Sequence, residues 1–129
     1  MTKERLNQIV DSAFNCAFRV HTALGPGLLE SSYKACMAFE LAKAGLAAQM
    51  EVPVPLVYEG QKLADVGYRV DILVEDELII EIKSVDAIIP IHKAQLLSYL
   101  RLSNKCLGLL MNFNTVHLKD GISRIANNF

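Results

Sequence analysis

Three charged residues interrupt runs of aliphatic ones. Asp71 stands in Val70-Asp71-Ile72-Leu73, and Glu81 and Lys83 stand in Ile79-Ile80-Glu81-Ile82-Lys83. Charges in such surroundings are costly unless they are paired, hydrogen-bonded or bound to a metal. Side chains alternate along a strand, so Glu81 and Lys83 point one way while Ile80 and Ile82 point the other. If the preceding strand returns as a hairpin partner, Asp71 arrives beside Glu81, and two carboxylates and an ammonium meet at one place on a sheet. Two carboxylate ligands leave Mg²⁺ most of its waters, a common way of holding it beside phosphate. Such an ion polarises a phosphoryl oxygen and lowers the pKa of an attacking water. Lys83 would orient that water or neutralise charge developing on phosphate. Two neighbouring carboxylates favour the ammonium form, so an electrostatic role is expected for Lys83 rather than that of a base. By residue type alone, a partly buried ion pair between Lys83 and Asp71 or Glu81 accounts for the pattern equally well.

The elements that must position these residues are legible in the hydrophobic spacing. Over residues 5–24, Leu6, Ile9, Val10, Ala13, Phe14, Ala17, Phe18 and His21 recur at three- and four-residue steps, which predicts an amphipathic helix. Gly25-Pro26-Gly27 stops it, and a second helix is expected from about Leu28 to Ala44, with Gly45 as its C-cap. Residues 52–58 read as a strand in which Pro53 and Pro55 cannot donate to a ladder, so it belongs at a sheet edge or has those residues facing outward. Leu63 to Val74 and Leu78 to Ser84 are two further strands, joined by Glu75-Asp76-Glu77 as an antiparallel hairpin. Residues 91–102 form a third helix, and residues 106–113 are a nearly continuous apolar run, as expected of a central strand covered on both faces. Thr115 to Leu118 is expected to be a short last strand, Lys119-Asp120-Gly121 a turn, and the remaining tail is left unassigned. The order is α-α-β-β-β-α-β-β, an α/β fold with a mixed sheet flanked by helices.

The totals limit what this fold can do. A chain of 129 residues suits one domain spanning 1–129, and 52% hydrophobic with 21% charged residues is a globular composition. Cys16, Cys36 and Cys106 lie far apart and form no CxxC pair, so neither a cysteine-rich zinc site nor a disulfide scaffold is supported. No apolar run approaches the ~20 residues of a membrane span, and no signal-peptide core follows the first charges; a cytoplasmic protein without membrane contact is expected. Net charge is -1, but it is unevenly spread: residues 1–82 hold 7 Lys/Arg against 12 Asp/Glu, and residues 87–129 hold 5 Lys/Arg against Asp120 alone. The basic final third can supply phosphate contacts or be an ordinary solvated surface.

Some residues outside the central trio are also candidates. Glu30 falls in the first turn of the second helix, where a carboxylate suits the dipole and can pair with Lys34 one turn on. Tyr33 lies on that helix's apolar face. Gln95 and Tyr99 are four apart on one face of the third helix, and His92 and Lys93 open that helix where they could touch phosphate. His21, His92 and His117 make no metal-binding cluster, and neither a GxGxxG nor a Walker pattern is present.

Residues 27–33, GLLESSY, resemble the signature of the bacterial GxxExxY proteins through Gly27, Glu30 and Tyr33. Those proteins are placed in the PD-(D/E)XK nuclease superfamily, and the resemblance spans nearly the whole chain. Its central motif lands on Asp71 and on Glu81-x-Lys83, with Val70 where the superfamily's name has proline. Gln95 and Tyr99 are similar to the QxxxY element of RecB-like nucleases. The resemblance implies a restriction-endonuclease-like fold and Mg²⁺-dependent hydrolysis of nucleic acid through Asp71, Glu81 and Lys83, with Mn²⁺ as an alternative ion and DNA favoured over RNA. It also implies that Glu30 reaches the metal region and that Gln95 joins the catalytic group. Tyr99, Lys93, His92 and Tyr33 are then the expected substrate contacts. Cutting both strands of a duplex would call for two sites, which a chain this short can supply as a homodimer. The rival expectations are a non-catalytic nucleic-acid-binding or interaction protein on the same scaffold, and a phosphoesterase acting on small molecules.

Overall fold

Thr2 starts the first helix by accepting the Arg5 amide on its hydroxyl at 3.1 Å, and α1 then runs Lys3–Leu24. Its apolar stripe is buried from Leu6 to Val20. Gly25 and Gly27 both adopt positive φ, which glycine enters without a side-chain clash, and the chain reverses into α2, Glu30–Lys43. That helix ends in a Schellman arrangement: the Leu46 amide donates to the Leu41 carbonyl and the Gly45 amide to that of Ala42, both at 3.0 Å. The computed structural model describes residues 1–129, and the remaining elements are β1 Ala48–Tyr58, β2 Gln61–Val74, β3 Leu78–Lys83, α3 Pro90–Ser103, β4 Leu107–Asn112, a 3₁₀ turn Leu118–Gly121 and β5 Ile122–Ala126.

The strands form one mixed sheet in the order β1-β2-β3-β4-β5. β1 and β2, β2 and β3, and β4 and β5 are antiparallel, while β3 and β4 are parallel through the α3 crossover. The two prolines lie in β1, the edge strand, as their missing donors require. The β2–β3 turn is Glu75-Asp76-Glu77, with Glu75 and Asp76 left-handed at φ 51 and 58 and the Glu77 amide donating to the Val74 carbonyl at 3.0 Å.

The two faces of the sheet carry two cores, and along β2 the alternation slips at Asp71, since Val70 packs on the α3 side and Ile72 on the α1–α2 side. Ile72, Val74, Leu78, Ile80 and Ile82 pack with Leu109 and Met111 under α1 and α2. Val70, Leu73, Ile79 and Leu110 face Leu96 and Leu100 of α3. Every residue of β4 is buried, as expected of a central strand.

One strand lies elsewhere than the spacing predicts. Residues 115–118 do not pair; Val116 is 80% exposed, and the last strand is Ile122–Ala126, the stretch left unassigned by sequence. Met111 pairs with Ile122 and Leu107 with Ala126. At Gly121, just before this strand, the chain presses against the backbone of Asn112 so closely that any β-carbon would collide with the Asn112 carbonyl. Lys119-Asp120-Gly121 leads into the strand instead of ending the fold, a tertiary contact with no local signature.

Candidate active site

The β2–β3 ladder pairs Val74 with Leu78 and Ile72 with Ile80, and then stops. Asp71 and Glu81 would be the next pair. At that step the Asp71 side chain replaces the ladder, its Oδ2 accepting the Ile82 amide at 2.8 Å. The two carboxylates thus stand side by side where the strands part, as the hairpin predicts.

Glu81 shares the side of β3 occupied by Ile79 and looks toward α3. It is 7% exposed, and its Oε1 is buried with no hydrogen-bond partner. Burial first, and then Asp71 as hydrogen-bond partner and like charge, push its carboxyl up from 4.5 to about 9, against a weaker opposing pull from Lys83. Two tyrosines lie close enough to feel the charge of Glu81. Tyr68 of β2 and Tyr99 of α3 stack with ring centroids 4.1 Å apart, and the Tyr68 hydroxyl donates to the Tyr99 carbonyl at 2.8 Å. Burial pushes the Tyr68 hydroxyl up to about 12. Burial and the two nearby carboxylates, Glu81 and then Asp71, raise Tyr99 as well.

Lys83 closes β3, half-buried, and none of the ion pairs in the protein includes it. The ion pair of Lys83 with Asp71 or Glu81, the alternative reading of this pattern, is therefore not formed. The lysine that engages Asp71 is Lys34, one turn after Glu30 on α2. Its Nζ lies 3.4 Å from Asp71 Oδ1 and 2.8 Å from Glu51 Oε1. Glu51 sits at φ 51 in the middle of β1, between the pairs Met50–Ile72 and Val52–Val70, so it breaks the edge ladder directly across from Asp71. Sequence reasoning missed Lys34, Glu51 and Tyr68. The one available signal was the four-residue step from Glu30 to Lys34, which suggested a Glu30–Lys34 pair that the structure does not make.

The remaining predicted residues separate into several roles. Glu30 accepts the Ser84 amide on Oε2 at 3.3 Å, just past Lys83. No group of three or more His, Cys, Asp or Glu side chains gathers as a metal cage, so Glu30 does not complete one with Asp71 and Glu81. Tyr33 is a correction: it is wholly buried, stacked on Phe113 with centroids 4.6 Å apart, and cannot touch a substrate. Its hydroxyl donates to the Gly25 carbonyl at 2.6 Å and accepts the Leu28 amide at 3.1 Å. With the Ser84 hydroxyl donating to the Leu28 carbonyl at 2.6 Å, these bonds fasten the α1–α2 turn to the end of β3. Glu30 and Tyr33 thereby clamp the turn that contains Gly27 over the strand that carries Glu81 and Lys83.

On α3, Gln95 is exposed one turn before Tyr99. His92 turns its Nδ1 back to accept the Ile89 amide at 3.2 Å, capping the helix. Lys93 lines a cavity of about 340 Å³ with Asp86, Asn112, Thr115 and Asp120, beside the strand end bearing Lys83. Asn112 anchors that end: its side chain accepts the Val85 amide at 3.1 Å and donates to the Val85 carbonyl at 3.0 Å.

Whether these residues suit a divalent ion can be judged from the donors. Two adjoining carboxylates, one with a buried oxygen lacking any partner, form the small acidic donor set that Mg²⁺ accepts while keeping its waters. The fit is that of a two-carboxylate site. A mixed sheet with helices on both faces, parting at its centre to gather two carboxylates and a lysine, defines an α/β fold of the restriction-endonuclease-like kind. A family model described as the PD-(D/E)XK nuclease superfamily matches residues 7–125, and the chain belongs to that superfamily. No curated protein and no solved structure matches it. No helix is long and apolar enough to cross a membrane.

Proposed function

We propose that the protein is a divalent-metal-dependent nuclease that hydrolyses phosphodiester bonds in nucleic acid, DNA in preference to RNA. The observation that carries this reading is Glu81, a buried carboxyl with an unpartnered oxygen, set against Asp71 where β2 and β3 separate. An unsatisfied buried acceptor costs about 1–3 kcal/mol, a cost that a bound ion would offset. Asp71 and Glu81 are the residues to hold Mg²⁺ or Mn²⁺, which when bound polarises the phosphoryl oxygen and acidifies an attacking water. Lys83, on the same side of β3 as Glu81 and free of ion pairs, would meet developing negative charge on phosphate. Tyr99 lies close to both carboxylates, and the exposed Gln95, one helical turn away, is available to a substrate. Glu30 acts by holding the Ser84 amide and so the end of β3. Lys93, which shares a cavity with Asn112 at the end of β4, would contact the phosphate backbone, and His92 would do so through its free Nε2.

The test is a calorimetric Mn²⁺ titration of the wild type beside Asp71→Ala and Glu81→Ala, each shown to be folded by circular dichroism, followed by cleavage assays on DNA and RNA. Binding and cleavage that vanish in both folded variants support the reading. Cleavage that survives either substitution refutes it.

One observation favours a second reading, a nucleic-acid-binding scaffold without catalysis: the Lys34 ammonium already neutralises Asp71. In that case DNA binding falls with salt but is indifferent to EDTA and to loss of Lys83.

A further inference from the structure

Lys34 stands between two acceptors of unequal hold. The shorter contact, 2.8 Å, is to Glu51, which is half exposed; the longer, 3.4 Å, is to Asp71, whose side chain is 17% exposed. Asp71 has no idle oxygen, since Oδ2 takes the Ile82 amide and Oδ1 faces the ammonium. A divalent ion coming to Asp71 and Glu81 therefore meets a cation already in place. Glu51 meets Lys34 from a left-handed backbone at φ 51, a sparsely populated conformation for a residue other than glycine, in the interior of a strand. The fold thus maintains a local strain that keeps a second carboxylate beside this one lysine.

Resting on the metal-binding reading, we propose that Lys34 is a resident cation that a divalent ion displaces from Asp71, with Glu51 as the partner that receives it. The lysine balances the acidic cluster when no ion is bound, and its withdrawal to Glu51 frees Asp71 Oδ1 without leaving the ammonium unpaired in a half-buried position. Lys34 and Glu51 are positioning residues that set metal affinity and selectivity. An ion gains the site only if its attraction to two carboxylates exceeds that of the ammonium to one.

The experiment is a Mn²⁺ titration by calorimetry on the full chain, comparing wild type, Lys34→Met, Glu51→Gln and the double variant, with Lys34→Gln as a second neutral replacement. Folding is verified by thermal melts. Lys34→Met and Lys34→Gln should bind about tenfold or more tightly than wild type, because competition and charge repulsion are both removed. Glu51→Gln should bind several-fold more weakly, since Lys34 then has Asp71 alone. The double variant should match Lys34→Met, because Glu51 acts through Lys34.

If wild type binds and the Lys34 variants bind equally or more weakly, the proposal is overturned while the metal site stands. An undiminished Glu51→Gln effect in the Lys34→Met background also overturns it, showing that Glu51 acts only through its field. Binding in the Lys34 variants but not in wild type supports it in its strongest form. Absence of binding in every folded variant removes the metal-binding reading and this inference with it.

Discussion

Replacing Glu81 by Gln should stabilise the metal-free protein, and increasingly so as pH rises. The carboxyl titrates near 4.5 when unfolded and is pushed up to about 9 in the fold, chiefly by burial and then by Asp71. A raised carboxyl binds its proton more tightly in the native state, so the unfolded state carries fewer protons between those values. Stability is then fully present below about pH 4.5 and is lost as pH rises toward 9. Within that window each pH unit costs up to about 1.4 kcal/mol. Glutamine mimics the protonated carboxyl: it is neutral, similar in shape, and its amide donates to Asp71 as the carboxyl proton does. Between pH 6 and pH 8 the wild type should therefore lose about 2–3 kcal/mol relative to Glu81→Gln. Urea unfolding of both proteins in EDTA, at the two pH values, reads the difference directly. Added Mg²⁺ should stabilise the wild type and leave the variant unmoved, because only the native carboxylate pair binds it. Equal stability at pH 8, or a difference unchanged between pH 6 and pH 8, would show that Glu81 is not a buried acid under electrostatic tension. The chemical argument for a metal site would then lose its main support.

Two further substitutions test the frame around the site. Tyr33→Phe keeps the stack on Phe113 but strands the Gly25 carbonyl and the Leu28 amide, and should cost about 1–2 kcal/mol in urea unfolding while hydrogen exchange at the Leu28 amide accelerates. Unchanged exchange would mean the hydroxyl does not hold the turn. Gly121→Ala drives a methyl group against the Asn112 carbonyl and should cost about 1–3 kcal/mol by forcing β4 and the turn before β5 apart, read as a lowered midpoint of thermal unfolding. A variant as stable as wild type would show that the turn has room to yield.

The sequence alone determined the elements whose cause is local. Helix periods in residues 5–24, the glycines after them, the prolines of β1 and the acidic hairpin turn each act within a few residues, and the structure places them as read. It also put Asp71 across the hairpin from Glu81, at the step where the ladder stops and the Asp71 side chain takes the Ile82 amide instead. Three other matters depended on contacts between distant segments. The last strand lies at Ile122–Ala126, entered where Gly121 packs against Asn112, nine residues earlier but across a strand boundary. Tyr33 is part of the core and of a loop clamp, because the packing of α2 on Phe113 and the α1–α2 turn gives both its ring and its hydroxyl a buried partner. Most of all, the sequence could not say which lysine meets Asp71. Lys83 is two residues from Glu81 and Lys34 is 37 residues from Asp71, yet Lys34 makes the contact. Spacing along a chain constrains neighbours on one helix or strand, whereas the partner of a charge is decided by how helices seat on the sheet and by which carboxylates are exposed when they do.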